Sequence, residues 1–283
     1  MRLAYERHTP WLLAGLLLTG CPDDDDVGAS GGGSGSSTGS ASTGEGTTVV
    51  ADSGSSAGDQ GGSSEETTAS PPPTEVRMSG TIEDFFAMGP IAGADITVLG
   101  QAGMETTSDA SGVWELSGLA VETFDRFVVA GTDTYWGAVV PFRTELMDIE
   151  EYELSQVSLD VIDIQIGVLQ AQEPTVMVED DTAVFLVALE QNLATGAVVQ
   201  VEPPPPPNTF YAPDANGQPV LNTTEISWSI YPVAVFFNLP PGPEGTYEIT
   251  VTHPERECTV EDPQPPTFGR HINLIRVDCP APA

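Results

Sequence analysis

Short runs of alternating hydrophobic and polar residues are the main pattern of the chain from residue 75 onwards. Val76–Ile82 and Ala94–Leu99 alternate along their length, and Val113–Leu116 and Arg126–Ala130 follow. Turn residues separate the runs, as in Ser108–Gly112. Alternation with period two is typical of strands with one buried face, and short strands between frequent turns indicate a sandwich or an open barrel. The pattern therefore predicts an all-β fold of antiparallel sheets.

The second part of the chain repeats these strand and turn signals. A new apolar run, Ala183–Leu189, opens it. Three pairs of segments correspond in order: Gly93–Val98 with Gly196–Val201, Asp109–Gly112 with Asp214–Gly217, and Leu116–Leu119 with Phe236–Gly242. Two full sets of strands would overfill one small sandwich. We therefore expect two β-sandwiches, at residues 75–145 and 179–283, with the second a degenerate copy of the first.

The connector between them, residues 146–178, fits two patterns. Five apolar residues fall at helical spacing behind Ser155 as a candidate cap: Leu154, Val157, Val161, Ile164 and Val168. Val157, Leu159 and Val161 also alternate as in a strand, and β-branched residues favour strands. We favour a helix packed between the sandwiches, and the strand alternative for 154–168 stays open.

The N-terminus has the pattern of an exported protein. Arg2 and Arg7 precede a short apolar run, Trp11–Leu18, and the run is followed by Thr19-Gly20-Cys21. The run is shorter than the roughly 20 apolar residues that cross a bilayer. A basic start, a short apolar core and small residues before a cleavage point are typical of a secretory signal peptide.

Leu18-Thr19-Gly20-Cys21 resembles the lipobox of bacterial lipoproteins. The resemblance implies that residues 1–20 are removed and that the Cys21 thiol carries a diacylglycerol. Acyl chains such as palmitate would then anchor the chain, since several chains together hold a protein stably on a membrane. The alternative is an ordinary signal peptide with a chance cysteine. Residues 21–74 are rich in Gly, Ser, Thr and Asp, so we expect a lipidated, disordered linker that reaches about 40 Å.

The first sandwich also resembles a known family. Gly80–Ile82, Gly89–Val98, Thr107–Leu116 and Gly118–Leu119 occur in the order typical of the carboxypeptidase regulatory-like domain. The resemblance covers residues 76–143 and implies a small seven-stranded, transthyretin-like (prealbumin-like) sandwich of the Ig-like kind. Ala110-Ser111-Gly112 departs from the Asp/Asn-Gly pair that the family has in its hairpin turn.

The charge of the chain bears on its binding partners, and its cysteine content bears on disulfide formation. The formal net charge is −34, and all eight basic residues are arginine. Such a charge opposes binding to nucleic acid, so we expect no nucleic-acid partner. If Cys21 carries lipid, Cys258 and Cys279 remain as an even pair in an oxidising compartment, and we predict a disulfide between them.

No catalytic constellation emerges from the sequence. The third residue after His253 is Arg256 and the third after His271 is Leu274, so the H-x-x-E pair of the zinc peptidases that often accompany the regulatory domain is missing. Glu150-Glu151 could in principle serve a glycosidase, but acidic pairs arise by chance in so acidic a chain. We predict no catalytic, cofactor-binding or metal-binding residues, and no enzyme activity.

Aromatic residues are the remaining candidates for recognition. Tyr135, Trp136, Phe210, Tyr211, Trp228 and Tyr231 could form a stacking platform for a sugar or a peptide, although half-buried strand aromatics are the commoner case.

These observations together predict a non-enzymatic lipoprotein of the cell envelope, held on the outer membrane through acylated Cys21. It would present binding, adhesion or scaffold modules to an envelope protein or polysaccharide. One alternative is a regulatory or accessory subunit of a secreted hydrolase. Another is a carboxylate-based glycoside hydrolase. The sequence leaves open the ligand, the membrane and its face, the oligomeric state and any glycosylation of the linker.

Overall fold

Most of the described chain forms β-strands, in many of which buried and exposed residues alternate. The structure is a computed structural model that describes residues 72–189, 194–228 and 230–281. Within these ranges it contains fifteen strands and one helix. Their bounds are β1 Glu75–Asp84, β2 Asp95–Val98, β3 Glu105–Thr107, β4 Val113–Ala120, β5 Phe124–Val129, β6 Gly137–Arg143, β7 Ile149–Gln156, α1 Leu159–Gln170, β8 Ala183–Leu189, β9 Val198–Glu202, β10 Phe210–Pro213, β11 Pro219–Leu221, β12 Val233–Leu239, β13 Glu248–Thr252, β14 Thr259–Val260 and β15 His271–Asp278. The predicted all-β class, with two β-sandwiches and one helix, is confirmed.

The first half of the fold is a seven-stranded sandwich. One sheet has the order β4-β1-β7, and the facing strands have the order β3-β2-β5-β6. Alternate residues of β1 are buried, because one face of the strand covers the core. In that core the Trp114 ring meets Phe127 edge-on at 5.2 Å, and Phe127 stacks on Phe142 at 4.1 Å. Gly80 lets β7 approach β1, because a Cβ there would lie 1.7 Å from the Tyr152 carbonyl oxygen.

The second half encloses its own core between a large and a small sheet. Its strands pair in the orders β11-β10-β12-β8-β15 and β9-β13, with β14 beside β15. Phe185 and Phe236 are buried between them, and Tyr247 meets Phe185 edge-on at 5.6 Å. A disulfide joins Cys258 and Cys279, so the predicted pairing is confirmed. It holds the end of β15 to the start of β14.

Both halves use the same strand pairing. β1 pairs antiparallel with β4 and parallel with β7, as β8 does with β12 and β15. β2 pairs with β5 as β9 pairs with β13. Gly118 in β4 and Asn238 in β12 both have positive φ at a register shift, which marks a bulge at the same place in each half. The repeat in the sequence therefore corresponds to a repeat in topology, with parallel pairs that the antiparallel expectation did not include.

The two halves are continuous through one sheet. β15 pairs in parallel with β6, with His271 opposite Gly137 and Asn273 opposite Val139. This pairing joins the large sheet of the second half to β6-β5-β2-β3 of the first half. Contacts group Pro71–Ala283 into one unit. The assignment of residues 75–145 and 179–283 to separate domains stays a prediction.

The connector contains both a strand and the helix. Residues 149–156 form β7, which pairs with β1, and α1 begins after Ser158 instead of the expected Ser155. The helix buries Leu169 and half-buries Ile162 and Ile166 on the outer face of β8, β12 and β15. No helix among the described residues is long and apolar enough to cross a membrane. The predicted signal peptide and residues 21–71 of the linker lie outside the described residues.

Candidate functional site

A buried ion pair lies where the two halves meet. Arg126 of β5 donates from Nε to Asp262 Oδ2 at 2.5 Å and from Nη2 to Asp262 Oδ1 at 2.8 Å. The side chains are only 9% and 3% exposed, respectively. Arginine suits this position because its planar guanidinium matches both carboxylate oxygens at once. The pair therefore fixes the loop after β14 to the first half.

Other charges surround this pair. Glu244 accepts from Arg126 at 3.3 and 3.4 Å, and its side chain is largely exposed. The ring of Phe124 packs against the guanidinium of Arg126 at 5.2 Å and that of Arg143 at 4.8 Å. The hydrogen bond to Asp262 is the largest of the causes that raise the pKa of Arg126 above its ordinary value. Arg126 is therefore a permanent cation that requires its anionic partner.

Glu261 lies next to Asp262 in the sequence, but its carboxyl group differs from that of Asp262 because it is not part of the ion pair with Arg126. Burial raises the pKa of its carboxyl group above the ordinary value, while the nearby charges of Arg276 and Arg143 oppose the shift. Its Oε2 atom is buried without a hydrogen-bond partner among the described residues. The ionised form of Glu261 therefore destabilises the folded state, whereas the carboxylate of Asp262 is stabilised by its ion pair with Arg126.

Close backbone approach completes the junction. A Cβ on Gly137 would lie 2.4 Å from the His271 ring, so a larger residue there would require this ring to shift. The N–H of Gly137 donates to the Arg270 carbonyl oxygen at 3.0 Å. Asn273, 1% exposed, follows on β15, and its side-chain atoms have no hydrogen-bond partner among the described residues. The junction is thus tightly packed, and among the described residues it holds buried polar atoms of Glu261, Arg270 and Asn273 that have no hydrogen-bond partner.

Four aromatic residues, two from each half of the fold, form a half-buried cluster between the halves. Phe85 lies 5.0 Å from Phe86 and 5.9 Å from Tyr231, and Tyr231 lies 6.0 Å from Trp228, all as ring-centroid distances. Phe85 and Phe86 follow β1, whereas Trp228 and Tyr231 precede β12. Exposed apolar residues stand beside them in sequence, with Met88 42% and Ile230 65% exposed. This aromatic cluster has the composition of a recognition surface.

The other predicted aromatic residues do not join this cluster as a platform. Trp136 is 2% exposed, and Phe210 stacks on Phe236 at 6.0 Å inside the second half. Tyr211 lines an apolar cavity of about 70 Å³ beneath α1, together with Phe86 and Phe237. Burial raises the pKa of Tyr211 and of Tyr231 above their ordinary values. Sequence reasoning therefore identified two of the four residues in the aromatic cluster.

The two histidines and Glu150 each have their own polar partners. His253 is half-buried, and its Nε2 lies 3.1 Å from the Thr195 carbonyl oxygen. His271 packs over Gly137 with Nδ1 2.8 Å from the Gly269 carbonyl oxygen. Glu150 forms a surface ion pair with Arg77 at 3.4 Å. In residues 72–189, 194–228 and 230–281 no three His, Cys, Asp or Glu side chains converge in a group that could hold a metal ion.

Cys21 and the ion pair of Arg126 and Asp262 remain to be compared with the sequence predictions. Cys21, the predicted lipid attachment site, lies outside the described residues. Arg126 and Asp262 were not singled out as a site by the sequence. The signal that could have found Arg126 is an arginine inside a strand-like run, in a chain with only eight basic residues. Its partner lies 136 residues away, so no local pattern connects them.

No family model matches the chain, and no curated protein matches it. Among solved structures it is similar to the Bacillus anthracis TIE protein, with 13% identity and a TM-score of 0.24, covering 73% of this chain and 34% of that one. It is also similar to a streptococcal ancillary pilin, with 9% identity, a TM-score of 0.25 and coverage of 73% and 63%. The D295N mutant of the shaft pilin SpaA of Lactobacillus rhamnosus GG gives 10% identity, a TM-score of 0.23 and coverage of 74% and 100%. This chain thus spans about a third of the TIE protein and under two thirds of the ancillary pilin, and similarity at this level assigns no function to it.

Proposed function

We propose that this chain is a lipid-anchored, non-enzymatic protein of the bacterial cell envelope that presents a rigid pair of β-sandwiches as a binding or scaffold module. The anchor is the acylated thiol of Cys21, supported by the resemblance of Leu18–Cys21 to a lipobox. The outer membrane is its proposed location. An envelope protein or polysaccharide is its proposed partner.

The observation that carries the module part of the proposal is the junction. β6 and β15 pair directly, and the Arg126–Asp262 ion pair is almost completely buried beside them. A buried bidentate pair and a shared sheet both resist relative movement of the two halves. Such a unit can hold two surfaces at a fixed separation, which a scaffold requires.

The aromatic cluster supports a binding role for this unit. Phe85 comes from the first half and Tyr231 from the second, and their rings lie 5.9 Å apart. The cluster therefore depends on the junction for its shape. Half-buried aromatic residues stack on sugar rings or on peptide side chains without a net charge of their own.

The experiment compares the wild-type chain with a Cys21→Ser variant in the native bacterium. We expect the wild-type chain in the outer-membrane fraction and the variant in the soluble fraction. Protease treatment of intact cells then distinguishes the two faces of the outer membrane. A Cys21→Ser variant that stays with the membrane as the wild type does would contradict the anchor.

A further inference from the structure

Among the described residues, the first half of the fold has an unpaired sheet edge at β4. This strand is last in the order β4-β1-β7. Ile82 of β1 donates its N–H to the Gly112 carbonyl oxygen at 2.8 Å, and Gly80 lies opposite Trp114. In an antiparallel ladder with this register, the backbone groups of Glu115 and Ser117 point away from β1. None of the backbone hydrogen bonds of the described residues uses these N–H and C=O groups.

The second half of the same chain fills the equivalent edge. Leu116 and Leu119 of β4 correspond to Phe236 and Leu239 of β12, because each pair occupies the same place opposite β1 or β8. Glu115 and Ser117 therefore correspond to Val235 and Phe237.

In the second half these backbone groups are used by β10. Tyr211 pairs with Val235, and the N–H of Phe237 donates to the Thr209 carbonyl oxygen at 2.8 Å. The fold itself thus gives a precedent for a strand at this edge.

We propose that the β4 edge is a docking site for an extended peptide segment, which adds to the sheet antiparallel to β4 as β10 adds to β12. Four backbone hydrogen bonds are available, two from Glu115 and two from Ser117. Strand addition of this kind obtains affinity from the main chain and selectivity from alternate side chains. The inference rests on the proposed function as a binding module and names the class of partner.

The side chains beside the edge select alternating apolar and basic residues. Leu116 is 6% exposed and faces the core, as Phe236 does where Phe210 stacks on it. A partner residue opposite Leu116 is therefore apolar. The next partner residue lies opposite Glu115, whose side chain is 57% exposed on the outer face. A basic residue there forms a favourable cross-strand pair.

The charge of the surrounding face determines which chain can supply this segment. Arg77 stands among Glu115, Asp148 and Glu150, so acidic groups outnumber basic ones on this face. The chain has no lysine and a net charge of −34, so a second copy would meet repulsion. The partner is therefore a segment of another protein, with Lys or Arg alternating with apolar residues.

The test uses a fluorescein-labelled peptide with the core Thr-Val-Arg-Val, in which valine is placed opposite Leu116 and arginine opposite Glu115. Binding to the purified full chain is measured by fluorescence anisotropy at about 0.15 M salt. The same peptide with an N-methyl group on the arginine cannot donate to the Glu115 carbonyl oxygen. We expect the N-methyl peptide to bind at least tenfold more weakly than the parent peptide. Equal affinity of the two peptides would overturn the proposal.

Two substitutions in β4 test the same site by changing the protein instead of the peptide. Ser117→Pro removes an outward N–H without a bond to β1, and we expect at least a tenfold loss of affinity. Glu115→Gln is expected to weaken binding roughly two- to fivefold, the size of a cross-strand charge pair. Glu153→Gln, an exposed glutamate on the opposite edge strand β7, is the matched control and should leave the affinity unchanged. Losses of equal size for Glu115→Gln and Glu153→Gln would reduce the effect to overall charge and contradict the docking site.

Hydrogen exchange of the free chain decides whether the edge is open. We expect fast exchange at the Glu115 and Ser117 amides, and slower exchange when the peptide is added. Protection that grows with protein concentration would assign the edge to a second copy and overturn the proposal. Protection that is independent of concentration would assign it to the chain's own residues 22–71, with the same consequence. Because these measurements use purified chain, their failure is distinct from a failure of membrane anchoring.

Discussion

The buried pair of Arg126 and Asp262 gives the sharpest stability prediction. Arg126→Met keeps the length of the apolar stem but removes the charge, and it leaves the Asp262 carboxylate, 3% exposed, without its partner. Breaking a buried pair in this way costs roughly 3–5 kcal/mol, since an uncompensated charge remains out of water. For a folded unit of this size the loss corresponds to a fall in Tm of roughly 6–20 °C.

The assay is guanidinium chloride denaturation followed by circular dichroism, with Arg77→Met as the control. Arg77 pairs with three acids but its side chain is 40% exposed, so its loss should cost no more than about 1 kcal/mol. The double variant Arg126→Met, Asp262→Leu should recover most of the lost stability, because no unpaired charge stays buried. A cost below about 1 kcal/mol for Arg126→Met, or a double variant less stable than the single one, would show that the buried Asp262 carboxylate does not depend on Arg126.

Three further predictions concern covalent, backbone and pH effects on stability. Reduction of the Cys258–Cys279 disulfide, which spans 21 residues, should lower the free energy of unfolding by about 3 kcal/mol in urea titrations with and without reductant; no change would contradict it. Gly80→Ala should prevent stable folding, because its Cβ would meet the Tyr152 carbonyl oxygen, whereas Gly89→Ala, with no atom within 4 Å, should melt within a few degrees of the wild type. Burial raises the pKa of Glu261, so the folded state holds this proton more tightly than the unfolded chain. Its stabilising contribution is therefore full below the ordinary pKa of 4.5 and is lost as pH rises through the raised value. Denaturation of Glu261→Gln and wild type across this range should show the variant gaining in relative stability as pH rises, and a constant difference would contradict the assignment.

Strands with one solvent-facing side were predictable from the sequence. The runs Val76–Ile82 and Ala94–Leu99 lie on β1 and β2, because one face of each strand is buried and the other is not. Gly196–Val201 likewise lies on β9. The disulfide was predictable because two cysteines remained once Cys21 was assigned to lipid. In these cases local pattern and tertiary environment agree.

Strands covered on both sides were harder to predict. In β6 every residue from Gly137 to Phe142 is buried, since the strand lies between β5 and β15 and both faces are covered. Such a run has no alternation to detect. The sequence also placed the helix start at Ser155, but pairing with β1 keeps Leu154–Gln156 in β7. Long-range pairing overrode the local helical spacing there.

The junction could not be predicted because its parts are far apart in sequence. Arg126 meets Asp262 across 136 residues, and Gly137 passes beneath His271. Neither contact leaves a trace in periodicity or spacing. The aromatic cluster was found in part, since Trp228 and Tyr231 stood out by residue type, whereas Phe85 and Phe86 joined them only through the fold.

Lipid on Cys21 is proposed to tether the rigid pair of sandwiches to a membrane. Mass spectrometry of the N-terminal peptide from the native strain tests it most directly. We predict that residues 1–20 are absent and that the peptide beginning at Cys21 carries the mass of a diacylglycerol. Alkaline hydrolysis should release its two ester-linked acyl chains and leave a glyceryl group on the Cys21 sulfur. A peptide that begins elsewhere, or an unmodified Cys21 thiol, would contradict the anchor.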